Sequence, residues 1–356
     1  MIHVGPHKTG STHVEGSLLA LNGLIQNRTN YMQPFFDDSG FINLKMQSFF
    51  SNELHNLKTT DFRYLNQLKT FLHIAHEQHH NVLISSEELS FIPLDGASYL
   101  SNMVHNFQAK VVITFRDSLS RALSNYRQLY PRFALSDEVP LPDFRAYVQG
   151  ILESMRIYYS YILDMYAKEF GVESLVIIDY DGAIAAKKDL VQIILCEICK
   201  ILCQDLSQGL GPLFEREHLT MIGDSNPAES HIPLPLAGVI SEIRVSMQKK
   251  KCRIPVASQD KVIKFILLMI GKQTLPTMTK NLSTLFYNET LISDDIIRKK
   301  YKNQMLYNNR NASIEAVERQ VVTELDFNRF RSDPYWQKWT RDVTSSLVTN
   351  STIIAC

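Results

Sequence analysis

The sequence predicts an α/β protein: a central parallel sheet flanked by helices, with a mainly helical C-terminal portion beside it. Three observations predict it. Short apolar runs rich in β-branched residues, Lys110 to Phe115 and Ser174 to Asp179, lack the alternation of a half-exposed strand, as expected of parallel strands covered on both faces. Stretches with helical periodicity separate these runs, which is the βαβ pattern. The chain also opens on a strand, a glycine loop and a helix.

In order, Ile2 to Val4 reads as a short strand. Ser11 to Ile25 reads as a helix with Val14, Leu18, Leu21 and Ile25 on one face. Phe62 to His80 is a second helix, Asn81 to Ser85 a buried strand, and Lys110 to Phe115 another. Ser118 to Leu129 is helical, and Pro131, Pro140 and Pro142 mark a loop after it. Phe144 to Phe170 is a long helix, Ser174 to Asp179 a strand, and Leu190 to Leu206 a helix. From residue 207 the pattern changes to a loop region with Gly209, Gly211, Pro212, Gly223 and Pro227. Helical stretches follow at Leu236 to Lys249, Gln259 to Ile270, Ser293 to Leu306 and Ile314 to Leu325. The expected division is a nucleotide-binding core over 1–206 and a helical portion over 207–356 that contributes to an acceptor pocket.

The chain has 356 residues, with Lys+Arg 37 against Asp+Glu 37, 45% hydrophobic and 21% charged. This is ordinary for a globular protein and excludes collagen-like and intrinsically disordered classes. A zero balance argues against a broad nucleic-acid surface but leaves room for a local basic pocket. Lys249, Lys250, Lys251 and Arg253 form one basic run, which reads first as a solvated face. No apolar stretch reaches the roughly 18 residues of a membrane span. Met1 to Val4 lacks the basic and apolar regions of a leader, so a cytoplasmic location is expected; the alternative is the Golgi lumen, after removal of an N-terminal anchor. Cys196, Cys199 and Cys203 share one face of an expected helix and read as buried free thiols, and no metal site is expected. Five Asn-x-Ser/Thr sequons occur, at Asn27, Asn281, Asn288, Asn311 and Asn350, against roughly three expected by chance.

Gly5-Pro6-His7-Lys8-Thr9-Gly10-Ser11-Thr12 lies between the first strand and first helix. There an α/β protein cradles phosphate, because glycines admit close approach and a helix N-terminus carries about half a positive charge. The loop of a nucleotide-triphosphate enzyme places Lys after its second glycine. Here that position holds Ser11 and the lysine sits inside the loop, at Lys8. Read alone, the segment could also be a tight turn with no ligand. A second motif, Phe115-Arg116-Asp117-Ser118-Leu119-Ser120-Arg121-Ala122-Leu123-Ser124-Asn125-Tyr126, places an arginine at a strand end and a serine eight residues on. Such a pair can converge on one phosphate. Equally, Arg116 could pair with a carboxylate and Ser124 could bond its own helix carbonyls.

Taken together, the two motifs resemble the sulfotransferases that use 3′-phosphoadenosine 5′-phosphosulfate (PAPS), and more closely the carbohydrate and bacterial types than the small cytosolic ones. The resemblance covers residues 1–206. It implies a P-loop-like sulfotransferase fold, with Gly5, Lys8, Thr9, Gly10, Ser11 and Thr12 on the 5′-phosphosulfate. Arg116, Arg121 and Ser124 correspond to the family's 3′-phosphate motif, with Tyr126 completing it. The segments Leu83 to Ser90 and Val176 to Asp181 also resemble the family. Asp117-Ser118 departs from the frequent Asn-Pro after the arginine, and the C-terminal Arg-Lys-Gly loop of the small cytosolic members is absent. The implied reaction moves a sulfuryl group in line to a hydroxyl or amine, on a glycan or a small hydroxylated molecule. No metal is needed, and Lys8 stabilises the leaving 3′-phosphoadenosine 5′-phosphate. Glu87 and Glu88 follow a buried strand, so one of them, Glu88 by a small margin, is the candidate general base, with His7 the competitor. Two other classes share such a core: a nucleotide kinase, disfavoured by the displaced lysine, and a non-catalytic nucleotide-binding relative.

Overall fold

The computed structural model describes residues 1–6, 9–22, 25–26, 29–34, 51–58, 62–135, 144–201, 233–255, 258–281, 294–349 and 354–355. The α/β expectation holds. Five parallel strands form a sheet in the order β4-β1-β5-β6-β8: β1 Ile2–Val4, β4 Ile84–Ser86, β5 Val111–Phe115, β6 Leu175–Asp179 and β8 Met305–Leu306. Two short strands, β2 (Tyr31–Met32) and β3 (Asn81–Val82), pair separately in parallel. The predicted strand at Asn81 to Ser85 is therefore two pieces, serving two sheets.

Alternate residues of each strand face opposite layers, as the pleat requires. Val111, Ile113, Phe115, Leu175 and Ile177 join a core with Leu65, Leu68 and Leu72 of α2 (Arg63–Glu77), Leu100 of α3 (Leu94–Met103), and Tyr159, Ile162 and Tyr166 of α5 (Phe144–Phe170). Val112 and Ile178 face the other way, onto Val14 and Leu18 of α1 (Ser11–Ala20) and onto Leu190 to Leu195. Burial on both faces explains why these strands read as unbroken apolar runs.

Several boundaries differ from expectation. Helix α4 (Ser118–Leu135) continues through Pro131, which removes one intrahelical bond without forbidding the next turn. Leu190–Gln192 opens as α-helix and changes to a π-turn over Ile193–Ile198; residues 202–206 lie outside the described residues. The predicted helix at Ser293 to Leu306 ends early: residues 294–300 are helical, then Lys302–Gln304 is a 3-10 turn and β8 follows. Ile314 to Leu325 splits into a helix, Arg310–Glu318, and a strand, β9 Val321–Leu325, whose Val-Val-Thr start prefers the extended backbone.

The boundary at 206/207 is also corrected. The chain divides into a unit of residues 1–121, 153–227 and 288–316, and a second of 122–152, 228–287 and 317–356. Residues 288–316 belong with the sheet because they supply β8, which is too short to be told from a helix end by periodicity. The second unit contains helices Leu234–Lys249, Gln259–Ile270 and Pro334–Thr349, and an antiparallel pair, β7 (Thr277–Asn281) with β9. Its interior holds Tyr126, whose hydroxyl donates to Glu324 Oε1 at 2.6 Å; the same oxygen accepts the Phe144 amide at 2.9 Å.

The cysteines correct a second expectation in part: Cys196 is in a disulfide, as Cys252 is, while Cys199 is free and buried as expected. A helical face of thiols was the only pattern visible in the sequence, and it does not report pairing. Among the described residues, no helix is long and apolar enough to cross a membrane, and no group of three His, Cys, Asp or Glu could hold a metal ion.

Candidate functional site

Because the five strands are parallel, their carboxyl ends share one edge. Across that edge follow Glu87 after β4, Gly5 after β1, Arg116 after β5 and Tyr180 after β6. From β1 the chain goes on to β4 on one side and later to β5 on the other, so the crevice beyond β1 and β5 is where open α/β sheets bind ligands.

The loop is built tightly. Pro6 O accepts the Thr9 amide at 3.3 Å and the Thr9 hydroxyl at 2.6 Å, and Thr9 is fully buried. Thr9 thus closes the turn. The Gly10 carbonyl accepts the Val14 amide at 3.0 Å, so Gly10 starts α1. Its φ of +81° favours glycine, and a Cβ there would lie 2.6 Å from Leu190 Cδ1. A Cβ on Gly5 would lie 2.5 Å from that of Ser11 and 2.9 Å from His3 Cε1, so no side chain fits there. Ser11 is buried, and its hydroxyl donates to Glu87 Oε2. Thr12 continues α1; its side chain, His7 and Lys8 lie outside the described residues.

Glu87 and Glu88 start a 3-10 turn, Glu87–Phe91, and both are half-buried. It is Glu87 that meets the loop, through Ser11; among the described residues no such contact is found for Glu88, the acid favoured on sequence. The Glu87 amide donates to Glu15 Oε1 at 2.6 Å. Glu15 stands on α1 one turn beyond Ser11. Burial, with Glu87 and then Glu88 nearby, pushes its carboxyl up to about 8. Beneath the loop, His3 Nδ1 is 2.8 Å from Ser85 Oγ, its register partner on β4. His3 Nε2 is buried with no partner among the described residues. Burial lowers this imidazole to about 4 despite the opposing pull of Glu87, so it stays neutral at physiological pH.

On the other side, Arg116 is half-buried with its guanidinium 4.8 Å from the Tyr180 ring centroid, a cation–π contact. Its backbone amide donates to Tyr159 Oη at 3.2 Å. Arg121, a sequence candidate for the 3′-phosphate, is only 4% exposed and lies 4.8 Å over the Tyr159 ring. Its place is in the packing behind Arg116. Asp117 caps α4: Oδ1 accepts the amides of Leu119 and Ser120, each at 3.0 Å. This explains the departure from Asn-Pro, since the carboxylate satisfies the helix start. The Ser118 amide and hydroxyl donate to Asp294 at 3.0 and 2.7 Å. Burial, then the nearby Asp117, holds Asp294 well above the usual carboxylate range. Burial and Asp117 likewise raise Asp181 to about 6. Ser124 is half-buried on α4 and falls in the second unit. No common site of Ser124 with Arg116 is described.

Four contributors escaped sequence reasoning. Glu15 had a signal, since it lies four residues after Ser11 on one helix face. His3 had one as well, as a polar residue inside a buried strand. Tyr180 and Ser85 become visible only through strand order and register. A cavity of about 190 Å³ lies at the opposite, amino-terminal edge, lined by Met1, Val82, Lys110 and Cys199 among others, and includes none of these groups. In comparisons with protein-family models, curated proteins and solved structures, the chain matches none.

Proposed function

We propose that this chain binds PAPS at the carboxyl edge of its sheet and transfers the sulfuryl group to a hydroxyl or amine acceptor. The observation that carries the reading is a juxtaposition on neighbouring strands: a glycine loop feeding a helix N-terminus after β1, and an arginine held against Tyr180 after β5. The close backbone approach at Gly5 and Gly10 fits a phosphate group. The amides at the start of α1 would hold the 5′-phosphate, and Arg116 the 3′-phosphate.

In this reading the acceptor oxygen or nitrogen forms a bond to sulfur as the bond from sulfur to the bridging oxygen breaks. The acceptor proton passes to a carboxylate, and Glu87 is the better placed of the pair because it already reaches the loop. Lys8 offsets the charge that develops on the leaving oxygen. The acceptor is a glycan or a small hydroxylated molecule.

The protein is expected to bind 3′-phosphoadenosine 5′-phosphate at least about tenfold more tightly than AMP, since charge-assisted bonds contribute roughly 1.5–3 kcal/mol each. Calorimetry with both nucleotides and with ATP checks this; equal affinities for the first two sink the assignment, and preference for ATP favours a triphosphate enzyme.

Two disulfide-bonded cysteines favour an oxidising compartment. We therefore carry forward the lumenal location rather than the cytoplasmic one. A thiol titration of the unfolded, unreduced protein that finds all five cysteines free returns the chain to the cytosol.

A further inference from the structure

The loop proposed to hold a phosphate is flanked by carboxyl groups, which is unfavourable for an anion unless something changes on binding. Ser11, at the first position of α1, is already engaged by the Glu87 carboxylate. Glu87 is tied in turn to Glu15, because its amide donates to Glu15 Oε1. Glu15, Glu87 and the Ser11 hydroxyl thus form one chain, running from helix α1 to the end of β4 and back to the loop. An incoming phosphate oxygen and the Glu87 carboxylate compete for one hydroxyl donor.

We infer that phosphate binding at this loop displaces Glu87 from Ser11 and depends on a proton held by Glu15, so that nucleotide affinity is gated by the ionisation of Glu15. The inference rests on the nucleotide reading above and deepens it. Two negative carboxylates beside a phosphate would repel it in a poorly solvated site. With Glu15 neutral, the released Glu87 can remain close by, and only one negative charge faces the ligand. Among the described residues, the charged groups around Glu15 are Glu87 and Glu88 on the 3-10 turn, and His3 on β1 faces Glu87. His3 is neutral throughout the range that matters. Glu15, raised to about 8, changes charge between pH 7 and 9.

The sign follows from linkage. The bound state favours protonated Glu15, so affinity is full below about pH 8 and weakens as Glu15 ionises above it, approaching tenfold per pH unit for one proton. The probe is 3′-phosphoadenosine 5′-phosphate, titrated calorimetrically from pH 7 to 9.5, above the ligand's own phosphate ionisation near 6. The wild type is expected to lose affinity above about pH 8, with uptake of up to one proton per nucleotide shown by buffers of different ionisation enthalpy. Glu15→Gln is expected to abolish the pH dependence and to bind more tightly than the wild type at pH 9. Burial is the larger cause of the raised Glu15, and Glu87→Gln removes a neighbouring charge that adds to it, so the midpoint should move to lower pH.

A flat wild-type profile, or a slope that survives in Glu15→Gln, overturns the inference while leaving nucleotide binding intact. Uniform weakening of Glu15→Gln at every pH also overturns it and makes Glu15 a packing residue only. Failure of the wild type to bind at pH 7 overturns both readings. If Glu15→Gln does not fold, infrared difference spectra of the unliganded wild type decide. A protonated carboxyl band lost between pH 7 and 9 in the wild type, and lost at lower pH in Glu87→Gln, supports the inference, and no such band overturns it.

Discussion

Lys8→Ala is expected to lower kcat by about 10²-fold or more, by analogy with the loss of one preorganised oxyanion donor, while nucleotide affinity falls much less. The reason is where charge changes. Negative charge on the bridging oxygen peaks as its bond to sulfur breaks, so a cation there stabilises the transition state more than the ground state. The 3′-phosphate keeps its charge throughout, so Arg116→Ala should raise KM for PAPS more than it lowers kcat. The stacking of Arg116 on Tyr180 sharpens this contrast, because it fixes a planar cation in one orientation suited to a static phosphate. Lys8→Arg should rescue only in part, since a guanidinium fork cannot place a point charge in a loop closed by Thr9 and Pro6. Single-turnover transfer of labelled sulfate is the measurement. If Lys8→Ala kept kcat and lost only affinity, the lysine would be an anchor and the leaving group would need another cation. His7 would be next in line, since Arg121 is buried against Tyr159.

The sheet was largely legible because each parallel strand is covered on both faces, which leaves an unbroken apolar run such as Val111 to Phe115. The glycine loop was legible because glycine is required there for steric reasons, and Gly5 and Gly10 both lack room for a Cβ. What remained hidden depends on partners distant in sequence. Met305 and Leu306 form a strand only because β6 stands beside them. Thr9 read as a ligand hydroxyl because its type suits one, yet the turn itself uses that donor. Glu87 could not be separated from Glu88 by sequence. A strand-end alternation does not say which of the two meets the loop, and the bond from Ser11 to Glu87 depends on how β4 and α1 pack. Arg121 fitted a motif, but its burial depends on Tyr159, 38 positions later by simple subtraction of the two residue numbers.

Arg298→Ala is expected to destabilise the first unit by about 3–5 kcal/mol, the range for stripping one partner from a buried ion pair. Asp179, at the end of β6, has no solvent exposure, and the Arg298 side chain is 7% exposed. The guanidinium donates twice to this carboxylate, with Nη2 at 3.2 Å from Oδ1, and also to Ser313 Oγ at 2.6 Å and Asn308 Oδ1 at 3.0 Å. Asp179 also accepts the Asn309 amide at 2.9 Å. One ion pair therefore ties the returning segment, residues 294–313, to the sheet beside the strand it extends. Without the arginine, Asp179 keeps a buried charge with a single amide donor, and β8 loses its anchor. The effect should exceed that of Arg331→Ala, whose partner is Glu242 and whose side chain is 62% exposed, because exposed pairs contribute at most about 1 kcal/mol. Urea denaturation gives the two costs, and amide exchange at Met305 and Leu306 shows whether β8 is the part that opens. The double change Arg298→Met with Asp179→Asn should recover most of the loss, because it removes the stranded charge and retains a side-chain oxygen for the Asn309 amide. If Arg298→Ala instead cost under 1 kcal/mol, the pair would be no more than a surface contact in energy. The returning segment would then owe its place to the packing of Ile297, Tyr301 and Met305 in the apolar core. Because Tyr180 directly follows Asp179 and carries Arg116, the same variant should also weaken nucleotide binding at temperatures where the fold is still intact, which separates a positioning effect from unfolding.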